Sequence, residues 1–310
     1  VRTVPLVEKV LARFAAPPRP QAVFGLTPAT LSGVRAGTRS GSVRRSFVSL
    51  LEPGLLAPSF DRPNVADESA LRSLIDEGRR ALGMSGGTAA LLLPEPCVRV
   101  FVLTAESVPL SESEREAYFR WRIDKQMPLL PEDLRLAYDL PPGTGPKKVI
   151  VAAAREAVVR EYEGLFLDAG LKPGCVTIPS LSLTRLAGVG EGGNGILLNA
   201  ERDYLSVFAV IDSEWSLYRQ KAIGSDLAGA ERMDLVVQEI ENTVHFFEDR
   251  ERRKVGRIWV RSADPGEALE VVARLESALG LPAGPVDYDA PDVWDARQKA
   301  VLAPLVGQLT

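Results

Sequence analysis

The sequence predicts an α/β protein made of two similar halves, each opening with three short strands and continuing in alternating helices and strands. Two observations carry this. Three strand-like runs joined by tight turns, then an amphipathic helix and a further strand, occur near the start and again after position 195. The run Gly188–Gly195, GVGEGGNG, is the clearest linker and falls between the two occurrences. A chain of 310 residues is long enough to bury two cores.

In order, Val4, Leu6, Val7, Val10, Leu11 and Phe14 fall at helical spacing with Arg2, Lys9 and Arg13 between them. This reads as an amphipathic basic helix closed by Pro17-Pro18-Arg19-Pro20. It suits a foot on an anionic membrane or a partner, and equally a helix packed on the body. Residues 22–26, 30–36 and 42–50 read as strands, separated by the turns Thr27-Pro28 and Gly37–Gly41. A helix over 66–82 stops at Gly83, and a strand over 88–93 follows.

Next come a strand over 97–103 and a helix over 111–125 opened by the capping box Ser111-x-x-Glu114. Strands over 134–140 and 147–153, a helix over 156–169, a strand over 175–178 and a helix over 180–188 complete the half. The second half reads as strands over 196–200, 204–211 and 215–223 and a helix over 233–253. A strand over 256–260, a helix over 265–279 and a last helix from about Asp295 follow.

Composition excludes some classes. Apolar residues make up 45% and charged ones 25%, as in ordinary soluble domains. The net charge of −4 leaves no overall basic footprint for nucleic acid. Cys97 and Cys175 sit in apolar runs and read as buried, reduced thiols of a cytoplasmic protein. No run approaches the roughly 18 apolar residues of a membrane span, and no signal peptide is visible.

The stretch from Leu91 to Leu140 resembles the PilM family of type IV pilus assembly proteins. Leu93-Pro94, the strand from Val98, Val108-Pro109, the capped acidic helix, Gln126-Met127-Pro128-Leu129, the acidic turn Glu132-Asp133 and the strand from Leu136 follow one another in that family's order. The resemblance implies an actin-like fold: duplicated ribonuclease-H-like halves with mixed five-stranded sheets and helices. It also implies a layout of an N-terminal helix and linker (1–20), a first half (21–188) with an inserted subdomain at about 98–171, and a second half (189–310). A membrane partner like PilN would lay its N-terminal tail in a groove between the first half and the insertion. Val100, Phe101, Trp121, Gln126, Met127 and Leu129 are the groove candidates. The resemblance further implies a cytoplasmic protein peripheral at the inner membrane, in a pilus platform or the related type II secretion platform.

Actin-like proteins hold Mg-ATP between two hairpins in which an acid and a glycine face the phosphates. Here Thr27 and Ala29 stand at those positions of the first hairpin, and Asn199 and Glu201 at those of the second. Two like charges about 4 Å apart repel by about 4 kcal/mol at an effective dielectric of 20, so Glu201 opposes a phosphate. The adenosine-side glycine pair is replaced by Val260-Arg261-Ser262-Ala263. Between Gly224 and Gln238 there is no room for the helical subdomain that relatives carry, so the second half is reduced. The expectation is a pseudo-ATPase scaffold that binds no cofactor, the alternative being an ATPase whose drifted site still works. A sugar kinase or phosphatase of the same fold would need a catalytic acid in the cleft, for which Asp203 and Asp212 lack the setting. His245, the sole histidine, reads as a core or boundary residue, and no metal-ligand spacing occurs.

Overall fold

The computed structural model describes residues 20–127, 131–141, 145–189, 194–224 and 227–310. The first half carries β1 (Ala22–Leu26), β2 (Thr30–Ala36), β3 (Val43–Leu50), α1 (Glu68–Ala81), β4 (Gly87–Leu92) and β5 (Val98–Ala105). It continues with α2 (Glu112–Asp124), β6 (Leu134–Asp139), β7 (Lys147–Arg155), α3 (Glu156–Asp168), β8 (Leu171–Thr177) and α4 (Pro179–Leu186). The second half has β9 (Gly195–Ala200), β10 (Tyr204–Ile211), β11 (Glu214–Ala222), α5 (Gly229–His245) and β12 (Arg257–Ser262). It ends with α6 (Pro265–Leu279), β13 (Ala283–Pro285) and α7 (Ala296–Gly307).

The predicted duplication is present. One sheet runs β3-β2-β1-β4-β8 and the other β11-β10-β9-β12-β13. In each, three strands pair antiparallel and the last two add parallel to the first. Central strands β1, β9 and β10 are buried along their whole length, which is why they read as largely apolar runs.

Helices α1 and α3 cover one face of the first sheet through Leu71, Ile75, Val158, Tyr162 and Phe166. Helices α5 and α6 cover the matching face of the second through Val236, Ile240, Val271 and Leu275. The faces that turn toward each other enclose α4 and α7. Leu302, Leu305 and Leu309 pack on Val23, Val34 and Leu92, while Leu183 and Ala303 pack on Leu197 and Phe208. Gly25 makes the approach of α7 possible, since a Cβ there would lie 2.9 Å from Leu305 Cδ1. The chain therefore returns to its first half in its last helix, which ties the halves without another linker.

The insertion forms a separate three-stranded sheet, β5-β7-β6, with α2 on one face and Phe119 and Ile123 buried against Leu103, Val149 and Val151. Helix α3 packs in the core of the first half, so the sheet-forming part of the insertion is Val98–Arg155. The other face of this sheet leans on β11.

Three boundaries differ from expectation for physical reasons. β8 begins at Leu171 rather than 175 because its Pro173 and Gly174 lie on a sheet edge, beside a register shift at Ala89/Ala90, where a missing N–H is tolerated. α5 starts at Gly229 and gives way to a π-helical turn, Phe246–Arg250, so it does not run to 253. His245 is an exposed residue at the end of that helix, not a core histidine. The amphipathic run 1–14 and Leu129 lie outside the described residues.

Candidate functional site

The cleft between the halves is built from the β1–β2 turn, the β9–β10 turn, the end of β12, the start of α5 and the flank of α7. It encloses about 690 Å³ and brings Thr27, Ala29, Glu201 and Ser262 together. Asn199 lies just beneath, fully buried.

Several polar groups of the cleft are bonded within the chain. Thr27 Oγ1 accepts the amides of Ala29 (3.3 Å) and Thr30 (3.0 Å), closing the turn on itself. Glu201 forms an ion pair with Arg261, and both are almost fully buried, at 6% and 4% exposure. Arg261 also donates to Asn199 Oδ1 at 2.9 Å and to the Ala300 carbonyl of α7 at 3.0 Å. Glu201 is thus neutralised rather than left facing the cleft, which amends the repulsion argument: the arginine that replaces a glycine pair fills the space and pairs the acid. Ser262 donates to Glu267, and Glu267 holds Arg232 Nε at 2.5 Å. Arg232 spends its other donors on the carbonyls of Arg202 and Glu201, both at 2.7 Å. Arg232 and Arg261 and the amides of Ala29 and Thr30 are thus committed within the chain, whereas Arg202 and Arg297 also line the cleft. No group of three or more potential ligands for a metal occurs among the described residues.

Behind Asn199 lies Glu95, a residue the sequence reading passed over. It has no exposed surface and sits in a 3₁₀ turn, Glu95–Cys97, between β4 and β5. Its carboxylate accepts from the Ser180 amide (2.8 Å) and hydroxyl (2.5 Å), the Asn199 amide group (3.4 Å) and the Tyr218 hydroxyl (3.0 Å). Ser180 Oγ in turn lies 2.6 Å from Ser206 Oγ. Burial raises the Glu95 pKa above its ordinary value, and hydrogen bonds from Ser180, Ser206 and Tyr218 oppose that rise. The signal for this residue was a lone acid between Pro94 and Pro96 inside an apolar run.

A second concavity, of about 600 Å³, lies between the inserted sheet and α4. Ala137, Ile150 and Ala152 form one wall, Leu181 and Arg185 the other, and Trp215 adds an aromatic surface. Three consecutive β6 residues, Ala137, Tyr138 and Asp139, line it, and β6 is the edge strand of its sheet. An unpaired strand edge beside apolar pockets suits an extended peptide.

The five described groove candidates, Val100, Phe101, Trp121, Gln126 and Met127, do not line this concavity. Val100 turns toward the cores of the two halves and lines a third crevice, whereas Phe101, its neighbour on β5, packs under α2. Trp121 is 53% exposed on the outer side of α2, with Lys125 Nζ 3.7 Å above its ring. Gln126 is exposed and Met127 packs half-buried on the core of the insertion. Strand alternation separates Val100 from Phe101. The residues that do line this concavity come from chain segments far apart in sequence, and no local pattern announces them.

No family model matches the chain, and no relative is found among curated proteins. Solved structures do match. A chain of a PilM-PilN type IV pilus biogenesis complex superposes with a TM-score of 0.74 at 18% identity, over 94% of this chain and 97% of that one. A Bacteroides thetaiotaomicron protein with an actin-like ATPase fold gives 0.53 at 8% identity, covering 87% and 92%. The ethanolamine utilization protein EutJ from Carboxydothermus hydrogenoformans gives 0.52 at 12%, covering 95% and 90%. With two sheets of one topology enclosing α4 and α7, these likenesses show that the chain has the actin-like fold.

Proposed function

We propose that this protein is a non-catalytic, PilM-like scaffold of a type IV pilus assembly platform, working at the cytoplasmic face of the inner membrane. It takes the N-terminal tail of a PilN-like membrane partner as an added strand along β6, in the groove against α4. One observation carries the reading: the chain overlays almost end to end on a protein solved as a PilM-PilN complex and keeps a peptide-sized groove beside an open strand edge. The polar groups bonded within the cleft support a role in which the fold serves as architecture. No described helix is long and apolar enough to cross a membrane.

The test is fluorescence anisotropy with labelled tail peptides from membrane proteins encoded beside this chain. A bound peptide should be displaced by its unlabelled form and lose at least tenfold in affinity on Ala152→Glu or Leu181→Asp, with the melting profile unchanged. If neither substitution weakens binding, the groove is misplaced. If no tail peptide binds at all, the scaffold reading fails.

A further inference from the structure

We propose that two copies of this chain associate through β3, whose outer edge pairs antiparallel with the same edge of the second copy about a twofold axis at Val48. The pairing lies apart from the tail groove at β6 and does not depend on it.

β3 is the outermost strand of the first sheet. Other edges of the two large sheets are blunted or covered. β8 carries Pro173 and Gly174, β13 is three residues long and ends in Pro285, and β11 packs against the inserted sheet. β3 holds neither proline nor glycine over its eight residues. Leu51 donates its amide to the Ala29 carbonyl at 2.9 Å, so alternation along the ladder turns the N–H and C=O groups of Phe47 and Ser49 toward β2. Those of Ser46, Val48 and Leu50 point outward, and among the described residues no backbone hydrogen bond from outside the sheet reaches them.

The side chains of these three residues share one face. Trp294 Nε1 donates to Ser46 Oγ at 2.9 Å on that face, whereas Phe47 turns to the other, over Gly78 of α1. Leu50 is 73% exposed and Val48 36%. An open edge carrying two exposed apolar side chains is a template for another strand.

The occupant follows from the symmetry of this edge. Arg35 pairs with Arg45 and Ala36 with Val43, so Arg44 is left out of the register in a bulge. The bulge ends the regular edge at Ser46, and the strand itself ends at Leu50. Val48 is the midpoint of what remains. When a second β3 is turned about Val48, the two Val48 residues face each other and each Ser46 faces the second copy's Leu50. The outward groups then satisfy one another in about six hydrogen bonds. Each Leu50 is covered on the face that holds Trp294 of the other copy. Just beyond the two ends, Arg44 of one copy meets Glu52 of the other. Both are exposed, and neither forms an ion pair among the described residues. Moving the axis to Phe47 or Ser49 sets Arg44 opposite Leu50 or Gly54 instead and loses both ion pairs. A ladder this short buries little area, so the association is weak and depends on concentration.

Sedimentation velocity of the full chain is expected to show a dimer whose fraction grows with concentration. Leu50→Lys puts a charge into the covered edge and should weaken the dimer about tenfold or more, with the melting profile unchanged because Leu50 is exposed in the single chain. Arg44→Glu alone and Glu52→Arg alone each set like charges against each other at both ends of the ladder. Each variant should therefore stay monomeric at concentrations where the native chain pairs. An equimolar mixture of the two restores opposite charges at both ends and should form a mixed dimer. That rescue is specific to two copies pairing antiparallel in this register. A native chain that stays monomeric at millimolar concentration overturns the inference, which is also the outcome if a strand of another protein takes the edge. So does a dimer that Leu50→Lys leaves unchanged, single charge reversals that still pair, or a mixture that stays monomeric.

Discussion

Arg261 is the residue whose removal tests the cleft most directly. Its guanidinium pairs with Glu201, donates to Asn199 and reaches the carbonyl of Ala300, all with 4% exposure. Arg261→Ala leaves Glu201 as a buried carboxylate with its cation gone, a change that costs about 3–5 kcal/mol. Against a total stability of roughly 5–15 kcal/mol, that is a large share. With a slope of about 3 kcal/mol per molar urea, the midpoint should fall by more than about 1 M. The double variant Arg261→Met, Glu201→Gln removes both charges and should recover most of the loss, which separates an unpaired charge from a simple packing defect. Mg-ATP should raise the melting temperature of neither the native chain nor Arg261→Ala, since any ligand bound only by the folded state must stabilise it. A cost below about 1 kcal/mol for Arg261→Ala would mean that water reaches Glu201 through the cleft and that the plug described above is loose. A clear Mg-ATP shift in the native chain would overturn the pseudo-ATPase reading and favour the working-site alternative.

Three further outcomes are expected. Glu95 has a folded pKa above its unfolded value of 4.5, so the folded state keeps a proton that the unfolded chain releases, and this contribution is full below 4.5 and declines as pH rises through the folded value. Urea midpoints from pH 5 to 8 should therefore show native stability falling relative to Glu95→Gln as pH rises, and a pH-independent difference would contradict the assignment. Burial lifts the Cys97 thiol to about 12, so alkylation of the native protein should mark the half-buried Cys175 first and Cys97 only after unfolding, as mass spectrometry of digests will show. Trp121→Ala should change tail-peptide affinity less than twofold, because its exposed ring is not part of the groove lining. A loss as large as that of Leu181→Asp would move the binding surface to α2.

The architecture was legible because it is written in local periodicity. Runs such as Ala22–Leu26 and Tyr204–Ile211 are apolar, broken in the second only by Ser206, as suits central strands, and the capping residues Ser111 and Asp295 open helices where expected. That Thr27, Ala29, Glu201 and Ser262 meet in one cleft could also be read, since they occupy turns or strand ends whose place in the fold is fixed by the flanking strands. What Arg261 does there could not be read. An arginine near the end of a strand looks like a surface charge until β9 and α7 are known to flank it. The groove was illegible for a related reason. Leu181, Ile150 and Trp215 belong to three elements joined only by tertiary packing, whereas Val100 and Phe101 looked like a pair and fall on opposite faces of β5.

A polar network joins the two halves directly. Glu95 from the first half receives Asn199 and Tyr218 from the second, and Ser180 meets Ser206 across the same boundary. Arg261 extends the network to α7, whose leucines are buried on the first sheet. Such bonds add little net stability individually, about 1 kcal/mol each, but breaking one leaves a buried donor or acceptor unsatisfied at a cost of about 1–3 kcal/mol. Opening the halves would break several together, so the cost of opening is far above thermal energy. A nucleotide-driven hinge needs the reverse, an interface held together mainly by the ligand. These residues therefore hold the halves in one arrangement. That suits a scaffold, whose groove against the inserted sheet keeps its shape only while β11 and α4 stay in register across the boundary.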